Sequence, residues 1–127
     1  MSVIMTTDHW EGVFNNEEVN YSPSWEMVDD AIQRLDERVY TSVALYNQEG
    51  LTLSIGGGPA GIVILLNKED DYLTARRSDE TEKTMILIGG QSGEYMRKYV
   101  FSREGSKKIA KAFFEGRDVR NMWVWES

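Results

Sequence analysis

The residues with the strongest claim to chemistry are glycines at the ends of two strand-like runs, Leu53-Ser54-Ile55-Gly56-Gly57-Gly58-Pro59 and Ile86-Leu87-Ile88-Gly89-Gly90-Gln91. Glycine-rich turns after strands can cradle phosphate, because bare backbone N–H groups approach the anion closely. That chemistry has further requirements. A P-loop needs a Lys and a Ser or Thr after its glycines, followed by a helix, and a dinucleotide fingerprint needs a helix N-terminus behind the pyrophosphate. Here Gly58 runs into Pro59-Ala60-Gly61 and then into another strand-like run. Antiparallel hairpin turns account better for both clusters. A nucleotide-like small-ligand module built on the Gly56–Gly58 and Gly89–Gly90 loops is the alternative, and it predicts a ligand retained on purification.

The other reactive groups are few. Cysteine is absent, which excludes a Cys nucleophile, disulfides and Cys-built zinc sites. The only histidine is His9. Any two of the 21 carboxylates could in principle share acid–base work, but no spacing singles out a pair. The run Glu69-Asp70-Asp71 lacks the alternating ligands and central glycine of a calcium loop and reads as a charged turn. The expectation is a protein without enzymatic activity, cofactor or metal.

Charge points toward a partner. The net charge of −7 is unevenly spread. Residues 1–66 hold ten acidic residues and two basic ones, Arg34 and Arg38, whereas residues 67–127 are nearly balanced, with eleven acidic and twelve basic. An acidic half repels nucleic acid and attracts basic proteins. The longest apolar run, Ile62-Val63-Ile64-Leu65-Leu66, is far shorter than the roughly 20 residues of a membrane span. Residues 1–10 show neither the basic nor the apolar region of a signal peptide. The expected location is the cytoplasm, with no contact to membrane or nucleic acid.

The elements that must position these residues follow from periodicity. Ser22-Pro23-Ser24 opens a helix over about 23–38, capped by Ser22, with Trp25, Val28, Ile32 and Leu35 on one stripe. Residues 1–20 are expected to be mobile or to form a short strand. Strands follow at Ser42–Tyr46, Leu51–Ile55, Gly61–Leu66, Tyr72–Arg76 and Lys83–Ile88, with Gly61–Leu66 central and buried on both faces. The strand Lys83–Ile88 ends in Gly-Gly-Gln-Ser-Gly, and Tyr99–Phe101 reads as extended. Ser102 caps a second helix running to about Glu115, with Ile109, Ala110, Phe113 and Phe114 on one face. Met122–Trp125 is a last strand. The 127 residues thus form one α+β domain, a mostly antiparallel sheet with an N-terminal and a C-terminal helix packed on it.

The order of four segments carries a resemblance. One strand ends in Ile55-Gly56-Gly57-Gly58-Pro59, and a second ends in Ile88-Gly89-Gly90-Gln91 and leads to Glu94-Tyr95. A helix carries Ala110-Lys111-Ala112-Phe113-Phe114-Glu115-Gly116, and the sequence finishes with Val124-Trp125-Glu126. Across about residues 40–127 this resembles immunity protein family one of bacterial polymorphic toxin systems. The resemblance implies a small cytoplasmic protein encoded beside a toxin, often one of the deaminase superfamily. Such a protein has no activity of its own; it binds the toxin domain and covers its active site or substrate groove. The recurring glycines and the final Trp-Glu are implied to be fold determinants rather than toxin contacts.

Charge and resemblance together give the expected function: neutralisation of a cognate toxin domain that acts on nucleic acid or nucleotides. The expected toxin-binding residues are the acidic surface of the first helix, Asp29, Asp30, Asp36 and Glu37, together with the turn at Glu69, Asp70 and Asp71. An adaptor unrelated to toxins is a further alternative.

Overall fold

A computed structural model describes residues 3–127. Eleven strands and two helices alternate with short turns. The strands are β1 (Val3–Thr7), β2 (Trp10–Glu11), β3 (Phe14–Asn15), β4 (Glu18–Asn20), β5 (Ser42–Asn47), β6 (Thr52–Gly58), β7 (Gly61–Lys68), β8 (Asp71–Arg76), β9 (Lys83–Ile88), β10 (Gln91–Met96) and β11 (Val124–Glu126). The helices are α1 (Trp25–Gln33) and α2 (Arg103–Phe114). Seven strands form one antiparallel sheet in the order β11-β8-β7-β6-β5-β1-β4, and β9–β10 and β2–β3 are separate hairpins. The expected α+β architecture, a mostly antiparallel sheet with two helices, is present.

Alternation along the strands assigns the two faces. Val3 and Met5 of β1, Val43 and Leu45 of β5, Leu53 and Ile55 of β6, and Ile62, Ile64 and Leu66 of β7 are buried in one core. The helices supply its other half: Val28, Ala31 and Ile32 from α1, and Ile109, Ala110, Ala112 and Phe113 from α2. Each large aliphatic side chain so buried contributes about 1.5–3 kcal/mol of hydrophobic stabilisation.

The opposite face is covered at one end by the β9–β10 hairpin. Ile86 of β9 joins Val63 and Val100 in a second, smaller core, with Ile88 and Tyr95 packed against it. Both glycine clusters serve this arrangement. At Gly56 a Cβ would collide with the Ile88 side chain, so glycine there lets one glycine-ended strand cross over the other. Gly89 and Gly90 have φ of 62° and 80° and form the two-residue turn between Ile88 and Gln91, where left-handed backbone favours glycine. The hairpin reading of both loops holds.

Several boundaries differ from expectation. Helix α1 covers 25–33 rather than 23–38, and its cap is Ser24, whose hydroxyl accepts the Met27 N–H at 3.2 Å, not Ser22. The helix ends early because two side chains take over its carbonyls and the following loop. Arg103 of α2 donates to the carbonyls of Ile32 (2.7 Å), Gln33 (3.2 Å) and Leu35 (3.1 Å). Asp36 Oδ1 accepts the N–H groups of Arg38, Val39 and Tyr40 at 2.9–3.0 Å, which turns the chain. Residues 3–7 are an interior strand between β5 and β4, because Val3 and Met5 are needed by the core. Gln91–Met96, to which the sequence reading assigned no element, is a further strand. Of the segment 99–101 expected to be extended, Tyr99 instead ends a 3₁₀ turn over 97–99, whereas Val100 is extended and Phe101 bridges Ile62. The last strand is Val124–Glu126.

Candidate functional site

The carboxylates fall into two groups according to what faces them. Asp8, 5% exposed, is fully engaged. It accepts N–H groups from Thr41 (2.6 Å) and Ser42 (2.9 Å), the Trp10 indole N–H (2.8 Å) and the Thr41 hydroxyl, whose oxygen in turn accepts the Gly90 N–H at 3.1 Å. The node ties β1, β5 and both small hairpins together. Glu37 has a comparable task. Its two oxygens accept the N–H groups of Ala60 (2.7 Å) and Leu87 (2.9 Å), clamping the β6–β7 turn to the β9–β10 hairpin. Asp36 caps its own loop. Burial opposes its ionisation, but the N–H groups of Tyr40, Arg38 and Val39 outweigh that and hold its carboxyl below the usual range.

Glu126 closes the sheet at β11. It accepts the Tyr99 hydroxyl at 2.6 Å and pairs with Arg76 (3.0 Å) and Lys98 (3.3 Å). The Tyr99 hydrogen bond, aided by both cations, holds its carboxyl below the usual carboxylate range against the opposing effect of desolvation. The same tyrosine and Glu126 hold the Lys98 ammonium above its ordinary value. The preceding Trp125 donates its indole N–H to the Val119 carbonyl at 3.0 Å.

The second group of carboxylates lies on β4, α1 and the turns beside them. The first 33 residues contain seven acidic side chains and no lysine or arginine. Asp8 is used internally, and Asp29 pairs with Lys107 of α2 at 3.2 Å. Among the described residues, Glu11, Glu17, Glu18, Glu26 and Asp30 face no lysine or arginine within ion-pair distance. Glu18 accepts the Thr7 hydroxyl at 3.4 Å and lies 3.8 Å from His9 Nδ1. Apolar side chains stand among them: Val13 is 83% exposed, Phe14 72% and Tyr21 74%, and Val19 and Met27 are also exposed.

A groove of about 470 Å³ runs between β4 and α1 in this region. Met5, Thr7, Glu18, Val19, Asn20, Tyr21, Met27, Asp30 and Arg34 line it. Arg34 is the one cation among them, and its guanidinium stacks 4.5 Å from the Tyr40 ring centroid. Exposed Tyr21 and Met27 stand there beside Glu18 and Asp30, neither of which has a lysine or arginine partner among the described residues.

The seven acidic residues expected to act together are thereby separated. Asp36 and Glu37 lie beyond the helix and are committed to backbone N–H groups. Asp29 is neutralised by Lys107, and only Asp30 stands free in the groove. Glu69, Asp70 and Asp71 are exposed in the β7–β8 turn, and β6 and β5 lie between β7 and β1 in the sheet. Asp70 and Asp71 border a different hollow of about 450 Å³ with Tyr72, Leu73, Arg120 and Ser127. Glu11, Glu17, Glu18 and the exposed apolar residues of 13–21 escaped sequence reasoning. The absence of any cation before Arg34 was the signal that could have found them.

Beside the second glycine loop a hollow of about 310 Å³ is lined by Trp10, Gly12, Val13, Arg38, Leu87 and Gly90. Ile88 fills the space over Gly56, and the Trp10 ring packs on Gly90. Among the described residues no group of three or more His, Asp or Glu side chains is placed to hold a metal ion, and no helix is long and apolar enough to cross a membrane. No family model, curated protein or solved structure matches this chain.

Proposed function

We propose that this protein is an immunity protein: it binds a cognate bacterial toxin domain in the cytoplasm and blocks that domain's active site or substrate groove. The toxin acts on nucleic acid or nucleotides and presents a basic surface. One observation carries the reading. Within β1–β4 and α1 the chain exposes Glu11, Glu17, Glu18, Glu26 and Asp30, which have no lysine or arginine partner among the described residues, interleaved in sequence with Val13, Phe14, Tyr21 and Met27. Val19, Tyr21 and Met27 line one groove, and exposed apolar patches rimmed by polar residues mark interaction sites. Uncompensated negative charge around them speeds capture of a basic partner, and buried aromatic anchors then hold it. The resemblance of the glycine-ended strands, the Phe113-Phe114 helix and the Trp125-Glu126 ending to immunity protein family one supports the same reading. The resemblance implies that the recurring glycines and the final Trp-Glu belong to the scaffold. The internal hydrogen bonds of Trp125 and Glu126 are compatible with such a role.

Co-expression with the toxin domain encoded immediately upstream tests the proposal. Growth should be restored, and the two proteins should co-elute from a sizing column. Failure of both would remove the reading.

A further inference from the structure

At the outer side of β4 three features coincide. Among the described residues the strand pairs with β1 alone, so its other edge presents backbone N–H and C=O groups without a strand partner. The groove beside it is lined by Val19, Tyr21 and Met27. Glu18 and Asp30 stand at the same groove without a lysine or arginine partner among the described residues.

Sheet edges are normally guarded by brevity and charge, and β4 has both, with three residues and Glu17-Glu18 at its start. That guard is selective. It rejects neutral strands, which would desolvate the carboxylates without compensation, and admits a strand that brings positive charge. A second copy of this chain would bring the same carboxylates against themselves in a two-fold contact, and nucleic acid would bring phosphates.

We propose that the groove between β4 and α1 receives an extended, lysine- or arginine-bearing segment of the toxin laid along the outer edge of β4. The inference rests on the reading of the chain as a toxin inhibitor. Backbone hydrogen bonds to the free edge supply part of the affinity, as when a peptide adds a strand to a sheet. Alternate side chains of the segment then enter the groove, where cations meet Glu18 and Asp30 and aliphatic stems pack on Tyr21 and Met27.

The test uses the full chain and the co-encoded toxin domain, inactivated at its catalytic residue, with affinity and association rate measured at low salt. Glu18→Lys combined with Asp30→Lys should weaken binding about 100-fold and slow association. Glu69→Lys combined with Asp70→Lys, the same charge change at the remote turn, should alter affinity less than about three-fold. Tyr21→Ala, which leaves the charge untouched, should weaken binding about ten-fold or more through dissociation. Hydrogen exchange of the amides at 18–21 should slow in the complex.

Four outcomes decide the matter. Binding by the wild-type chain that survives the groove reversal overturns the groove and leaves the toxin reading standing. Equal loss from the groove and turn reversals also overturns it, since bulk charge would then suffice. Unchanged exchange at 18–21 overturns the strand-edge contact. No complex with the wild-type chain overturns the toxin reading and the groove with it.

Discussion

The two edges of the seven-stranded sheet are joined by one cross-strand row, Val19–Thr6–Ala44–Ser54–Leu65–Thr74–Glu126, in which no interior position is charged. Both edge strands, β4 and β11, are three residues long and carry a carboxylate. At β11 that carboxylate is neutralised: Glu126 is held by Arg76, Lys98 and the Tyr99 hydroxyl, all supplied by the same molecule. At β4 Glu18 meets a hydroxyl and a histidine, and the acidic residues around it have no lysine or arginine partner among the described residues. The contrast separates two uses of a charge. A carboxylate whose counter-charge is internal closes the fold, and one whose counter-charge is missing is available to a partner. Position at an edge alone does not distinguish them.

The largest expected effect lies just inside the β4 side, at Asp8, whose carboxylate is engaged internally as Glu126 is at β11. Asp8→Ala strands the buried N–H groups of Thr41 and Ser42 and should cost about 3 kcal/mol in urea unfolding. A change below about 1 kcal/mol would show that water replaces the carboxylate. Next, Trp125→Ala should cost about 2 kcal/mol, since it removes apolar packing on the main core together with the bond to Val119. Glu126→Gln should lower the unfolding midpoint, whereas Glu18→Gln should leave it in place. Equal shifts would erase the contrast between the edges.

The pH dependence follows from the same nodes. Glu126 and Asp36 have folded values held below 4.5 and 3.8, so their contribution is fully present above those unfolded values. It fades as pH falls through the lower folded ones. Lys98 is raised above 10.5, so its share is complete below that value and is lost as pH climbs through the higher folded one. An acid titration of Glu126→Gln should therefore be shallower than that of the wild-type chain. The smallest effect belongs to Glu18→Gln combined with Asp30→Asn. Stability should stay within about 0.5 kcal/mol of wild type, with any gain confined to low salt, because both side chains are exposed and neither has a lysine or arginine partner among the described residues.

Much of the scaffold was legible in the chain itself. Ser102 before an apolar stripe ending near Gly116 specified α2, because caps and periodicity are local properties. The glycine-ended strands were readable as hairpins for the same reason. Other elements were not. Gln91–Met96 shows hardly any apolar alternation, since it needs only Tyr95 to anchor it and borrows its register from β9. The early end of α1 depends on Arg103, some 70 residues downstream, so no pattern within 23–38 could reveal it.

By itself the sequence determined the two helices, the glycine turns, the apolar runs of the core and the strong acidic bias ahead of Arg34. All of these arise from backbone preference and composition over a few neighbouring residues. Only the tertiary structure decided which acids remain free. Asp29 meets Lys107, Glu37 meets Leu87 and Glu126 meets Arg76, and each pair is at least 50 residues apart. A counter-charge acts over a few ångströms of space, so the fold rather than chain order assigns it, and β4 is left with the carboxylates it does not neutralise.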